Sequence, residues 1–183
     1  MSWLHTIALF VTAFVAVFVE SAEGVVRHWI GAQIDVLPAL MVYAGLSAGL
    51  PNLTALALAG GLWFDSLSAN PLGVTVLPLF LIGLFIHLNR ALVLRDLAYA
   101  QFILGLGACA AAPLLTLLLL INSGAHPLVG WSFIWQWLVM ALGGAALTPL
   151  FFRLFGHVER ALAYQRLPEL AFSCHREIRR GRH

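Results

Sequence analysis

The sequence predicts an all-α integral membrane protein with about six transmembrane helices. Of its 183 residues, 61% are hydrophobic and 10% charged, with a mean hydropathy of +0.92; soluble domains carry roughly 25% charged and 45–50% apolar residues. Eighteen charged side chains cannot cover a globule of this size, so the excess apolar area needs lipid. Two stretches, Leu97 to Ile121 and Trp131 to Phe152, run 25 and 22 residues without a charge, and a hydrocarbon core about 30 Å thick takes roughly 20 residues of helix. Finally, nine of the ten arginines fall where six crossings place the cytoplasm.

Trp3 to Val19 offers 17 uncharged residues and reads as the first span. It is expected to be a retained helix: Met1 to Thr6 holds no lysine or arginine, and Ser21-Ala22-Glu23 is a poor small-residue cleavage site. Val36 to Phe64 is too long for one helix, because 29 residues at 1.5 Å each would run about 43 Å. Pro51-Asn52 breaks it near the middle, which predicts two helices, roughly Trp29 to Leu50 and Asn52 to Leu67. Leu72 to His87 supplies the fourth span, 16 residues with Pro78 inside. Leu97 to Ile121 is the fifth and Trp131 to Phe152 the sixth, opened by Trp131, Trp135 and Trp137 at interfacial positions. Residues 1–152 are thus a transmembrane domain.

Seven arginines follow Phe152, and Arg90 and Arg95 lie in the loop between the fourth and fifth spans, on the same side. That side is the cytoplasm. Arg27 sits with Glu20 and Glu23 in the first external loop; merging the middle pair of helices would bring it inside, so the charge rule fixes the tail and leaves five against six spans open. Phe151, Leu154, Phe155, Val158 and Leu162 recur at helical spacing while Arg153, His157 and Arg160 point elsewhere, so the last helix continues as an amphipathic segment along the inner leaflet and ends at Pro168. Residues 153–183 form this basic tail, with Arg179, Arg180 and Arg182 at its end, suited to anionic lipid, an acidic partner, or plain solvation.

Charges near membrane depth call for a stated role. Asp35 falls in the first turns of the second span, where a carboxylate suits the helix N-terminal dipole. Arg95-Asp96 precedes the fifth span, with Asp96 at its N-terminus and Arg95 at the headgroups. Most distinctive is the run Gly60-Gly61-Leu62-Trp63-Phe64-Asp65-Ser66-Leu67-Ser68-Ala69-Asn70-Pro71-Leu72-Gly73. Its glycines permit close helix approach, Asp65, Ser66, Ser68 and Asn70 can bond backbone groups freed where a helix stops, and Pro71 can open the next helix. Two readings stay open: a well-capped external turn, or a polar notch gripping a partner helix or small ligand. Gln101 and Gln136 are expected to bond between helices, and Gly45/Gly49, Gly107/Ala111 and Ala141/Ala145 suggest tight packing.

Other functional classes find little support. Every basic residue is arginine but the net charge is only +2, so nucleic acid is not an expected partner. Cys109, in an apolar run, and Cys174, in the polar tail, are not a plausible bridge. The seven histidines show no ligand spacing, and no phosphate-binding loop or nucleophile elbow occurs, so neither metal, cofactor nor catalysis is expected.

The order of these features resembles the MreD family, small integral membrane subunits of the bacterial rod-shape system. The likeness rests on Ile34 to Ala44, on Gly60 to Asp65, on Asn70-Pro71-Leu72-Gly73 through Leu77 to Gly83, and on Leu94-Arg95-Asp96, and covers roughly residues 1–165. Its specific core is Gly-Gly-Leu-x-x-Asp-x-x-x-x-Asn-Pro-Leu-Gly. The resemblance implies a multi-pass protein of the bacterial inner membrane, similar in fold to the substrate-binding subunits of energy-coupling-factor transporters, and without catalytic activity. It also implies binding to MreC, and through it a connection to MreB filaments, a RodA-type glycan polymerase and a penicillin-binding transpeptidase, so that lateral peptidoglycan synthesis is positioned. A small-molecule-binding subunit of an energy-coupling-factor type transporter is the alternative, drawing on Asp35, Asp65, Asn70 and Trp63.

If the tail binds the inner leaflet electrostatically, replacing Arg176, Arg179, Arg180 and Arg182 by Gln in a peptide of residues 153–183 should weaken its binding to anionic vesicles by about 1 kcal/mol per residue. Vesicle co-sedimentation measures this, and unchanged binding would contradict it.

Overall fold

Proline, glycine and one aspartate set the helix boundaries of this chain. The structure, a computed structural model, describes residues 3–22, 34–68, 71–91, 97–124 and 130–164. These contain six helices: α1 (Trp3–Ala22), α2 (Leu37–Ser47), α3 (Leu50–Leu67), α4 (Val76–Leu88), α5 (Ala98–Asn122) and α6 (Trp131–Tyr164). Expected features at Glu23, Arg27, Asn70, Arg95, Asp96, Pro168, Arg179, Arg180 and Arg182 lie outside the described residues, as do the side chains of Val158, Arg160 and Leu162.

The second helix is shorter than its sequence predicts. Ile34 to Val36 are not helical. The Asp35 carboxylate accepts the Leu37 amide at 3.0 Å, and Pro38 stands in the first turn, so the chain is turned into α2 only at Leu37. Eleven residues make a helix about 17 Å long. The break before α3 also lies earlier than Pro51-Asn52: Ala48 and Gly49 are extended, and Pro51 sits in the first turn of α3. The reason is that proline lacks only a donor that the first turn leaves unbonded anyway.

Every residue from Leu37 to Leu46 is buried. A helix apolar on all sides belongs at the centre, and α2 packs against α1, α3, α4 and α5. Side-chain contacts fix the helix directions. Asn52 Nδ2 donates to Thr6 Oγ1 at 3.1 Å, and the Phe14 and Trp63 rings meet edge to face at 5.1 Å, so α1 and α3 run parallel. Met41 meets Gly83, Gly45 meets Gly83 and Ile86, and the Gly45 carbonyl lies 3.1 Å from His87 Nδ1, so α2 and α4 run parallel. Gly61 against Val76 and Leu53 against Gly83 make α3 and α4 antiparallel. In the same way Gly105 meets Thr148 and Ala145 while Cys109 meets Gly144, so α5 and α6 are antiparallel.

These contacts revise the expected packing stripes. A Cβ on Gly107 would meet nothing, whereas Gly105 and Gly144 stand where α5 and α6 touch. Trp137 is no interfacial anchor either: its Nε1 donates to the Ala110 carbonyl at 2.9 Å, midway along α5. Pro113 lacks the amide that the Cys109 carbonyl would accept, which loosens the backbone ladder beside Ala110. Of the two glutamines on α5 and α6 expected to bond between helices, Gln101 is buried and Gln136 exposed.

Apolar side chains also face outward on α1, α3, α4, α5 and α6, among them Phe18, Leu58, Phe85, Leu118 and Leu142. The helix α5 and residues 133–157 of α6 are long and apolar enough to cross a membrane, yet only 22% and 33% of their apolar stretches are buried. A core helix of a soluble protein would be mostly covered. The last helix continues to Tyr164 as expected, but its buried stripe is narrow: Phe151 and Phe155 are buried, while Leu154 is exposed beside Arg153. The chain divides into two units, Met1–Phe151 and Phe152–His183, with α6 contributing to each.

Trp137→Phe keeps most of the ring and removes the donor to Ala110. It should lower unfolding stability in detergent by about 1 kcal/mol, the scale of hydrogen bonds between membrane helices, read by denaturant titration.

Candidate functional site: the Asp65 turn

Helix α3 stops because its neighbouring polar groups offer the backbone another arrangement. The Ser68 amide still bonds the Phe64 carbonyl at 3.0 Å, but Ser68 itself is extended. Ser66 Oγ donates to the Trp63 carbonyl at 2.8 Å and Ser68 Oγ to the Asp65 carbonyl at 3.4 Å, occupying carbonyls of the final turn. Pro71 then begins a β-turn closed by the Val74 amide on the Pro71 carbonyl at 3.3 Å. Gly73, third in that turn, has φ of +92°, as a type II turn requires. Pro71 therefore opens a turn and not the helix; α4 begins at Val76, because the chain must first pass through this reversed position.

The Asp65 side chain is 2% exposed and ties the turn together. Oδ2 accepts the Gly73 amide at 2.7 Å and the Thr75 amide at 3.2 Å. Oδ1 lies 2.8 Å from Thr75 Oγ1, which is also 3.1 Å from the Gly61 carbonyl, so one hydroxyl links carboxylate and helix backbone. Thr75 immediately precedes α4, which puts the carboxylate at that helix's positive end. Gly61 lets the helices meet: a Cβ there would lie 2.7 Å from Val76 Cγ2 and 2.9 Å from its Cα.

Of the residues the sequence singles out, Asp65, Pro71 and Gly73 come together here. Asp35 serves a different helix start. It caps α2, and its carbonyl would stand 3.6 Å from a Cβ on Gly144 of α6. Arg90 is exposed just after α4, and Arg153 is exposed on α6 with its carbonyl 2.7 Å from His157 Nδ1. Thr75 is the participant that sequence reasoning missed. Its signal was a threonine directly before an apolar helical run, where hydroxyls favour helix starts.

The chain matches no family model, no curated protein and no solved structure. Function must therefore be argued from the site's own chemistry. Both Asp65 oxygens face backbone amides and a hydroxyl, an arrangement that fixes a turn and leaves no oxygen aimed at solvent for proton transfer. Among the described residues no group of three or more His, Cys, Asp or Glu side chains could hold a metal ion.

Two substitutions separate the contributions. Gly73→Ala forces an L side chain into the left-handed region and should cost about 1–2 kcal/mol; Asp65→Leu strands the Gly73 and Thr75 amides and should cost at least about 2–3 kcal/mol. Thermal unfolding in detergent should rank them in that order, and an Asp65→Leu chain as stable as the parent would show that the carboxylate is incidental.

Proposed function

We propose that this chain is a non-enzymatic scaffold of the bacterial elongasome, a multi-pass inner-membrane protein that binds MreC and helps position lateral peptidoglycan synthesis. The observation that carries the reading is the saturation of Asp65: the most distinctive polar residue of the sequence is used up in shaping a turn. Beside that carboxylate Leu67, Pro71 and Leu72 are exposed. Such a surface suits a protein partner better than a reaction. MreB, the RodA-type polymerase and the penicillin-binding transpeptidase are connected through MreC in this reading.

Six crossings with a cytoplasmic C-terminus are part of the proposal. Three observations support them: the alternating directions of α1 to α4, the antiparallel α5 and α6, and apolar side chains facing outward on five helices. The arginine distribution agrees. In this arrangement the Asp65 turn faces the periplasm and α2 runs from that side toward the cytosol, while Arg90, Arg95 and the tail face the cytosol. The second reading, a small-molecule-binding subunit of an energy-coupling-factor type transporter, is favoured by one observation, the half-buried Asp35 close to α6.

The test is capture from detergent-solubilised membranes. MreC should co-purify, a photo-crosslinker at Leu67 or Leu72 should reach it, Asp65→Leu should lower recovery several-fold, and depletion should round rod-shaped cells. Failure to retain MreC with unchanged cell shape overturns the scaffold; a vitamin-sized molecule released on denaturation, read by mass spectrometry, supports the transporter subunit instead.

A further inference from the structure

Residues 34–36 raise a problem of depth. A Cβ on Gly143 would lie 2.9 Å from Ile34 Cγ2, and the neighbouring Gly144 faces both Cys109 and the Asp35 carbonyl. Gly144 lies within three residues of the middle of the charge-free run Trp131–Phe152, and Cys109 one residue from the middle of Ala98–Asn122. The non-helical segment thus sits level with the midpoints of both long apolar helices. If those helices cross the bilayer, as the multi-pass reading holds, this segment lies near the mid-plane.

Hydrocarbon does not accept unbonded backbone; irregular segments at that depth are either enclosed by protein or bathed by water. Enclosure is incomplete, since Ile34, Asp35 and Val36 are each only half-buried. The bonds made there are local: the Val36 carbonyl accepts from the Leu40 amide and Asp35 Oδ1 from the Leu37 amide.

A second observation points to where water enters. Beyond this level, toward the Ser123–Gly130 connection, no residue of 113–122 is buried, nor any described side chain of 130–140. Gln136 lies in that half of α6, exposed and with no hydrogen-bond partner among the described residues. It precedes Gly143 by seven residues, two helical turns, so it shares the face that meets Ile34 and stands about 10 Å further out. An unpartnered amide is costly in lipid and costs nothing in water.

We infer that a water-filled vestibule opens from the periplasmic face and reaches residues 34–36, with Gln136 on its wall and Asp35 at its floor. The inference rests on the multi-pass reading but not on the identity of any partner. It gives Asp35 contact with water at a depth where, among the described residues, its carboxylate accepts from the Leu37 amide.

Thiol labelling tests it. In full-length protein carrying Cys109→Ala and Cys174→Ser, single cysteines are placed by Ile34→Cys, Val36→Cys, Gln136→Cys, Leu138→Cys and Ser123→Cys, and spheroplasts are exposed to a membrane-impermeant methanethiosulfonate. Leu138 is exposed at the depth of Gln136, on the opposite side of the helix. Ser123→Cys should react from outside, which establishes the topology. Gln136→Cys and at least one of Ile34→Cys and Val36→Cys should then react about tenfold or more faster than Leu138→Cys, because only the thiolate attacks and hydrocarbon suppresses it. Reaction at Ser123 with none faster than Leu138→Cys overturns the vestibule and leaves the topology standing. Reaction at Ser123 only after permeabilisation overturns both. Variants that do not elute as the parent protein are replaced by the neighbouring position, which is why two sites probe the floor.

Discussion

The carboxylate of Asp65 holds the most consequential joint in this molecule. Three donors converge on it, from Gly73, from the Thr75 amide and from the Thr75 hydroxyl, and through them the end of α3 is locked to the start of α4. The joint explains features on either side of it. Gly61 has no side chain because Val76 lies against it, and Gly73 has none because its backbone is reversed. In water a turn of this kind would be one stabilising detail among many. In the multi-pass reading proposed above the joint stands at the edge of a hydrocarbon layer, where every amide the carboxylate satisfies is one that would otherwise lack a partner.

The same solvent logic orders the rest of the fold. Several polar groups among the described residues have a local use: Thr148 bonds the Gly144 carbonyl at 2.9 Å, Trp137 the Ala110 carbonyl, and His87 lies against the Gly45 carbonyl. Packing is carried by close approach, at Gly45, Gly83, Gly105 and Gly144, where a side chain would collide with the neighbouring helix. Such contacts do not depend on expelling water, which makes them effective between helices already surrounded by lipid.

How much of this could be read beforehand depended on distance along the chain. The helical class, the five- or six-element pattern and the prominence of Asp65 and Gly73 follow from apolar run lengths and local turn chemistry. Pro51 announced a break, but a proline acceptable in a first turn only bounds the break from one side, so its place at Ala48-Gly49 was not legible. The late start of α2 was hidden for a related reason: Ile34 and Val36 are as apolar as a helix interior, and only the Asp35 bond to Leu37 shows that the helix waits until then. Thr75 and the pairing of Trp137 with Ala110 join residues 10 and 27 positions apart, beyond the reach of any pattern within one turn. Tryptophans near a span end suggest an interface, and nothing in the sequence alone reveals that one of them reaches across to a carbonyl of the neighbouring helix.

The enclosure of α2 has a consequence for biosynthesis. This buried segment is surrounded partly by helices that the ribosome makes later, α3, α4 and α5. In the multi-pass reading proposed above, the nascent chain holds α2 against lipid or the insertion machinery until α5 has left the translocon. Its native surroundings therefore form only after more than half of the polypeptide has emerged, and a chain halted before that point has a centre with nothing closed around it.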